Sequence, residues 1–142
     1  MKINLIRHGE STGDIEDRYG GDYDDHLTEH GRVQANALAK SLLDKGIQRL
    51  FVSPRYRALE TGEIVGAALG LEPVIVETLR ERNAYGLVTG LVKSEARQQF
   101  PEMTAQLTNP TTTIDGAEPY NQFVERVQRT LDKITDADGF VE

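Results

Sequence analysis

His8, Arg7, Arg57 and Glu81 are of residue types that together could carry a phosphoryl group. A neutral imidazole is nucleophilic near pH 7 and can attack phosphorus, which splits a hydrolysis into formation and breakdown of a phosphoenzyme. Phosphoryl oxygens concentrate negative charge, and planar guanidinium groups such as Arg7 and Arg57 neutralise it through paired hydrogen bonds better than an ammonium can. The transition state is loose, so positioning and electrostatics make up the larger part of the task. A leaving alkoxide needs a proton, and Glu81 is the candidate donor if partial burial keeps it protonated; it could then act as base toward water. Taken singly, each of these residues would read as a structural histidine or a surface ion-pairing group.

Their value rests on the elements that position them. Lys2 to Ile6 carries β-favouring residues at Ile3, Leu5 and Ile6 and stops at Gly9, which predicts a short, largely buried strand with His8 just past its end. Thr28 suits the N-cap of a helix running to about Lys45, with Val33, Ala37, Leu38 and Leu42 on one face and Gly46 as its stop. Ile47 to Val52 reads as a second strand, and Ser53-Pro54 ends it. A helix over Tyr56 to Leu69 follows, with Leu59, Ile64, Ala67 and Ala68 at helical spacing and Gly70 closing it. Pro73 to Val76 is a third short strand. Strands alternating with helices imply βαβ units and a parallel sheet, hence an α/β class. Ligands of such sheets gather beyond the carboxyl ends of the strands, where His8, the Ser53 to Arg57 segment and Glu81 would all fall.

The remainder is less regular. Lys93 to Phe100 predicts a helix ending before Pro101, and Thr108 to Gly116 has turn and loop chemistry. Pro119 opens a helix to about Thr135, whose stripe Phe123, Val127, Leu131 and Ile134 reads as core packing. The run Asp22-Tyr23-Asp24-Asp25 lacks the spacing of a calcium loop and reads as a solvated loop.

The 142 residues suffice for a single domain over 1–142 with one core. There are no cysteines, so disulfides and thiolate metal sites are excluded, and no Walker loop or dinucleotide fingerprint occurs. We expect no metal and no cofactor. A formal charge of -7 argues against nucleic acid and anionic membranes as partners. No apolar run approaches the roughly 20 residues of a membrane helix, and Arg7 and His8 interrupt any signal-peptide pattern, so cytoplasmic location is the expectation.

Leu5-Ile6-Arg7-His8-Gly9-Glu10-Ser11 resembles the signature of the histidine phosphatase (phosphoglycerate mutase-like) superfamily. Ser53-Pro54-Arg55-Tyr56-Arg57-Ala58-Leu59-Glu60-Thr61 resembles its second arginine segment, and Leu79-Arg80-Glu81-Arg82 with Tyr85-Gly86 its acid-bearing segment. Leu27-Thr28-Glu29-His30-Gly31-Arg32 is similar to the family's helix entry. The resemblance implies a three-layer α/β/α fold with a mainly parallel sheet, His8 and Glu81 as catalytic residues, and Arg7 and Arg57 as phosphate binders. It also implies Ser11, Asp14, Gly21 and Arg82 as candidate contacts to a phosphorylated small-molecule substrate. The expected activity is phosphomonoester hydrolysis through phosphohistidine, with mutase-type phosphotransfer or phosphate binding without turnover as alternatives.

This sequence also departs from the family pattern. Asp14 stands where related members carry an asparagine that donates a hydrogen bond to the phosphate, and Gly20-Gly21-Asp22 and the extra Ala84 argue against a strict mutase, although Arg82 and Lys93 match substrate-contacting positions of mutases. Family members continue past the Pro119 to Thr135 helix into a strand carrying a second catalytic histidine; here Phe140-Val141-Glu142 reads as the start of that strand. The resemblance therefore implies a domain truncated at its C-terminal end, part of a phosphatase of roughly 180 to 200 residues, with low activity expected for the chain as it stands. The lost strand would leave its neighbours' backbone unpaired or bring them together in another order. A strand from a second copy would complete the sheet as a homodimer.

Overall fold

The computed structural model describes residues 2–136. Its elements follow the chain as α1 (Thr12–Ile15), α2 (Glu29–Leu42), β1 (Leu50–Val52), α3 (Tyr56–Leu69), β2 (Pro73–Ile75), α4 (Lys93–Gln99), α5 (Pro101–Gln106) and α6 (Tyr120–Thr135), with 3-10 turns at Glu77–Leu79 and Gly86–Val88. The β1–α3–β2 unit is parallel, pairing Leu50 with Pro73, Phe51 with Val74 and Val52 with Ile75. The α/β class is as expected. None of the described helices is long and apolar enough to cross a membrane.

Local signals hold where they depend on neighbouring residues. Thr28 is the N-cap of α2, its hydroxyl accepting from the Gly31 N–H at 2.9 Å, which satisfies a donor that the first helical turn leaves open. Gly70 closes α3 in the left-handed conformation, its N–H returning to the Gly66 carbonyl. The residues from Thr108 to Gly116 form turns and coil, as their composition requires.

The buried faces of α2 and α3 differ from those the apolar spacing suggests. α2 buries Gly31, Ala35, Ala39 and Leu42, whereas Val33 is 58% exposed. α3 buries Arg57, Thr61, Gly62, Val65 and Gly66 and leaves Ala67 and Ala68 exposed. Small residues let two helix backbones approach closely, and the core then closes between them, with Ala39, Leu42 and Val65 flanked by Leu38, Leu50 and Leu69. Gly31 also lets α2 start against the segment after His8. A Cβ on it would lie 2.0 Å from the Glu10 carbonyl oxygen, and one on Gly9 would lie 2.3 Å from that of Gly31.

Lys2 to Ile6 is a correction. It forms no strand, and Ile3, Leu5 and Ile6 are 51%, 88% and 40% exposed. A strand is defined by the partner that pairs its N–H and C=O groups, and the sheet of the described residues has two strands, not three. The strand start expected at Phe140-Val141-Glu142 lies outside the described residues.

A second apolar cluster forms from Tyr19, Val88, Ala96 and Ile114, with Tyr85, Leu91 and Met103 packed on it. The helix α5 within this region was not expected: Pro101, read as a stop, also opens a new helix at its first position. The α6 stripe gives less core than its spacing promises. Thr130 is its buried residue and Leu131 is 38% exposed. The helix is instead held by Arg126, whose guanidinium takes both Glu118 oxygens at 2.7 Å and the Thr78 and Arg80 carbonyls at 2.8 and 2.9 Å.

Two outcomes follow from this packing. Gly31→Ala should lower stability in urea unfolding by about 1–3 kcal/mol through overpacking against backbone, while Gly20→Ala, with open space around it, should stay within about 0.5 kcal/mol. The Arg126 hydrogen bonds hold the Glu118 carboxyl below its ordinary value of 4.5, with burial opposing them. A depressed carboxyl contributes stability above its unfolded value that is lost as pH falls through the lower folded one. Stability measured from pH 6 to pH 2 should thus drop less steeply in Glu118→Gln than in the parent; identical acid limbs would contradict this.

Candidate functional site

His8 is fixed by its neighbours on both sides. The Gly9 N–H donates to the Thr61 hydroxyl at 3.2 Å, and that hydroxyl donates to the Arg57 carbonyl at 2.7 Å, so the residue after His8 is tied to the first turns of α3. His8 Nδ1 lies 2.6 Å from the Gly9 carbonyl oxygen, and Arg57 Nε lies 3.1 Å from His8 Nε2. A carbonyl can only accept and a guanidinium can only donate. The ring is therefore protonated on Nδ1, and Nε2 presents its lone pair to Arg57.

Arg57 is 4% exposed and spends all five of its N–H donors. Nε meets His8. Nη1 donates to the Tyr23 carbonyl at 2.6 Å and Asp25 Oδ1 at 2.7 Å, and Nη2 donates to the Gly21 carbonyl at 2.9 Å and Glu81 Oε2 at 2.8 Å. Burial works against the cation, but the Asp25 and Glu81 carboxylates outweigh it and raise the Arg57 pKa above its ordinary range. Gly21, expected to touch substrate, thus takes part through its backbone.

Arg7 is the arginine that stays outside. Its side chain is 79% exposed and, among the described residues, pairs with Asp14 at 3.4 Å. Asp14 is turned toward Ser11, accepting from the Ser11 N–H and hydroxyl at 3.0 Å each. The two residues form a capping box on α1. Burial raises the Asp14 carboxyl, yet the Ser11 hydrogen bonds and the nearby Arg7 charge bring it below its ordinary value. Asp14 is accordingly ionised, and its charge is directed at Ser11 and Arg7.

Four side-chain environments differ from those expected. Glu81 is beside Arg57, but its side chain is 55% exposed, not buried. Arg82 is 7% exposed and donates to the carbonyls of Pro110, Thr112 and Glu118 at 2.5, 2.9 and 3.0 Å, so its fork braces the Thr108 to Gly116 loop. Lys93 is likewise spent on Asp17 at 2.6 Å. The acidic run is not a solvated loop: Asp22 and Asp24 pair with Arg55 at 3.1 and 3.0 Å, and Asp25 is 5% exposed against Arg57. Sequence reading missed Asp25 because no local feature separates it from its two acidic neighbours.

The remaining histidines are engaged elsewhere, His26 bonding Glu60 and stacking on Tyr56, and His30 reaching Gln34.

Known proteins share the sequence pattern and the fold of this chain. The family model described as histidine phosphatase superfamily, branch 1, matches residues 3–140. Phosphoglycerate mutase-like protein 4 of Arabidopsis thaliana is 33% identical over 140 residues, covering 95% of this chain and 60% of its own length. Among solved structures, a putative alpha-ribazole-5'-P phosphatase from Escherichia coli superposes with a TM-score of 0.78 at 26% identity, covering 94% of this chain and 66% of that one. The mycobacterial glucosyl-3-phosphoglycerate phosphatase complexed with VO3 gives a TM-score of 0.81 at 25% identity, covering 92% and 63%. The chain thus spans less than two thirds of the length of each of these three. Because the family match runs through the His8, Arg57 and Glu81 segments alike, this chain belongs to branch 1 of the histidine phosphatase superfamily.

Proposed function

We propose that this chain carries the nucleophile-bearing part of a phosphomonoester hydrolase that forms a phosphohistidine on His8 Nε2. One observation carries the reading: the Nε2 lone pair faces a buried guanidinium edge at 3.1 Å while Nδ1 is held by a carbonyl. Attack by Nε2 leaves an imidazolium-like ring, and the Gly9 carbonyl receives its Nδ1–H throughout. The phosphoryl oxygens take the two donors of Arg57 that lie along its Nε–Nη2 edge, displacing the imidazole from one and Glu81 from the other. Glu81, displaced from Arg57 into water it already touches, takes up a proton from solvent and gives that proton to the departing alkoxide as the P–O bond breaks. It then takes a proton from the water that attacks phosphorus and breaks the P–N bond. Arg7 joins by leaving Asp14, a cheap exchange because an exposed pair is worth about 0–1 kcal/mol.

Hydrolysis is preferred over mutase-type transfer because Arg82 and Lys93, which match substrate contacts of mutases, are committed to loop carbonyls and to Asp17. A second reading, phosphate binding without turnover, draws support from the engagement of His26 and His30 away from His8. The substrate class is a phosphorylated small molecule.

Turnover of an aryl phosphate should fall by at least about 10³-fold in His8→Ala, the order expected when a nucleophile is removed. Binding of orthovanadate with no turnover in the parent chain would favour the second reading. Glu81→Gln should slow alkyl phosphates by about 10²-fold or more but aryl phosphates far less, since phenolates leave without a proton; equal losses would remove Glu81 from the acid role.

A further inference from the structure

We propose that Asp25 is a positioning residue of this site, clamping the Arg57 guanidinium from behind so that its Nε–Nη2 edge faces His8 and the incoming anion. The inference rests on the hydrolase reading for the identity of that anion, but its geometric basis is independent. Two carboxylates share one guanidinium and differ in what they can do. Glu81 is 55% exposed and can exchange its hydrogen bond for water. Asp25 is 5% exposed, with Oδ1 on Arg57 Nη1 at 2.7 Å and Oδ2 on the Gly13 N–H at 3.0 Å. Leaving would strand it as a buried charge without a partner, which is prohibitive.

The space around Asp25 is built for a carboxylate. A Cβ on Gly13 would stand 2.5 Å from Oδ2, so only glycine lets the backbone N–H of α1 reach it. The Tyr23 carbonyl shares Nη1 with Asp25 at 2.6 Å, which leaves that nitrogen no proton to offer. An arriving phosphoryl group therefore finds one edge of Arg57 closed and the other open to exchange. Asp25 also couples the start of α1, near His8, to α3, which carries Arg57.

The sign of one substitution separates positioning from simple electrostatics. Asp25→Asn removes a negative charge next to an anion site. If Asp25 were a bystander, inorganic phosphate would bind the variant as tightly as the parent or more tightly. If Asp25 positions Arg57, affinity measured by titration calorimetry should fall by about tenfold or more, the effect of misplacing charge-assisted hydrogen bonds. Asp25→Asn added to Arg57→Lys should then cost nothing further, whereas an independent structural role would add its own loss. Unchanged or tighter binding in Asp25→Asn overturns the proposal.

A parallel readout on His8 keeps the outcome clear of the hydrolase reading. In the parent, imidazole ¹⁵N signals should report the Nδ1–H tautomer, and Asp25→Asn should shift them toward a mixture as Arg57 Nε leaves Nε2. Failure of the parent to bind phosphate would sink the hydrolase reading alone, and unshifted His8 signals in the variant would still sink the role of Asp25. If Asp25→Asn does not fold, the parent itself decides: phosphate should move the Arg57 Nε–H resonance and leave the Nη1 protons in place, and the reverse pattern defeats the clamp.

Discussion

A guanidinium buried to 4% exposure is the constraint around which the site is arranged. An ion removed from water must recover its solvation from fixed partners, and an unpaired one would shift or destroy the fold. Arg57 has five protons to place, and five acceptors meet it from three stretches of chain: the ring of His8, the Gly21 to Asp25 loop with the carbonyls of Gly21 and Tyr23 and the Asp25 carboxylate, and Glu81. The Gly21 to Asp25 loop contains no helix or strand of its own, so its course is set by this convergence more than by local propensity. The same need that secures the fold thereby brings a candidate nucleophile and a candidate acid to one cation.

His8 is delivered without a paired strand beneath it. What replaces the strand is backbone contact between Gly9 and Gly31, the hydrogen bond from Gly9 to Thr61, and the acceptance of Thr28 N–H by the Glu10 carbonyl at 2.9 Å. These tie the residues next to His8 to the starts of both α2 and α3. The glycines of the Arg-His-Gly and Glu-His-Gly motifs thus have a steric purpose, and Thr61 of the second arginine segment has a bridging one. Motif residues with no proposed chemical role set the distance between His8 and Arg57.

Arginines in this chain are told apart by what their partners can give up. Arg82 and Arg126 bind backbone carbonyls and, for Arg126, a carboxylate 14% exposed; none of these can retreat into water, and both arginines act as braces. Arg57 has Asp25 and two carbonyls behind it but an imidazole and an exposed carboxylate in front. Only that front can be exchanged for an anion. Arg7, on the surface with one weak pair, is the most freely redirected of the four.

The sequence by itself determined what depends on adjacent residues: the Thr28 cap, the Gly70 stop, the β1–α3–β2 unit, and three motif segments whose order pointed to phosphoryl chemistry and to the family. It could not choose the inward faces of α2 and α3, because apolar periodicity counts hydrophobic area, whereas the contact went to the glycines and alanines that permit close backbone approach. Nor could it separate Asp25 from Asp22 and Asp24, or show that Arg82 would face loop carbonyls, since both depend on partners far along the chain. Lys2 to Ile6 shows the same limit from the other side. Its residues favour a strand, but pairing is supplied by a neighbour, and burial, charge pairing and sheet membership are properties that only the assembled structure can confer.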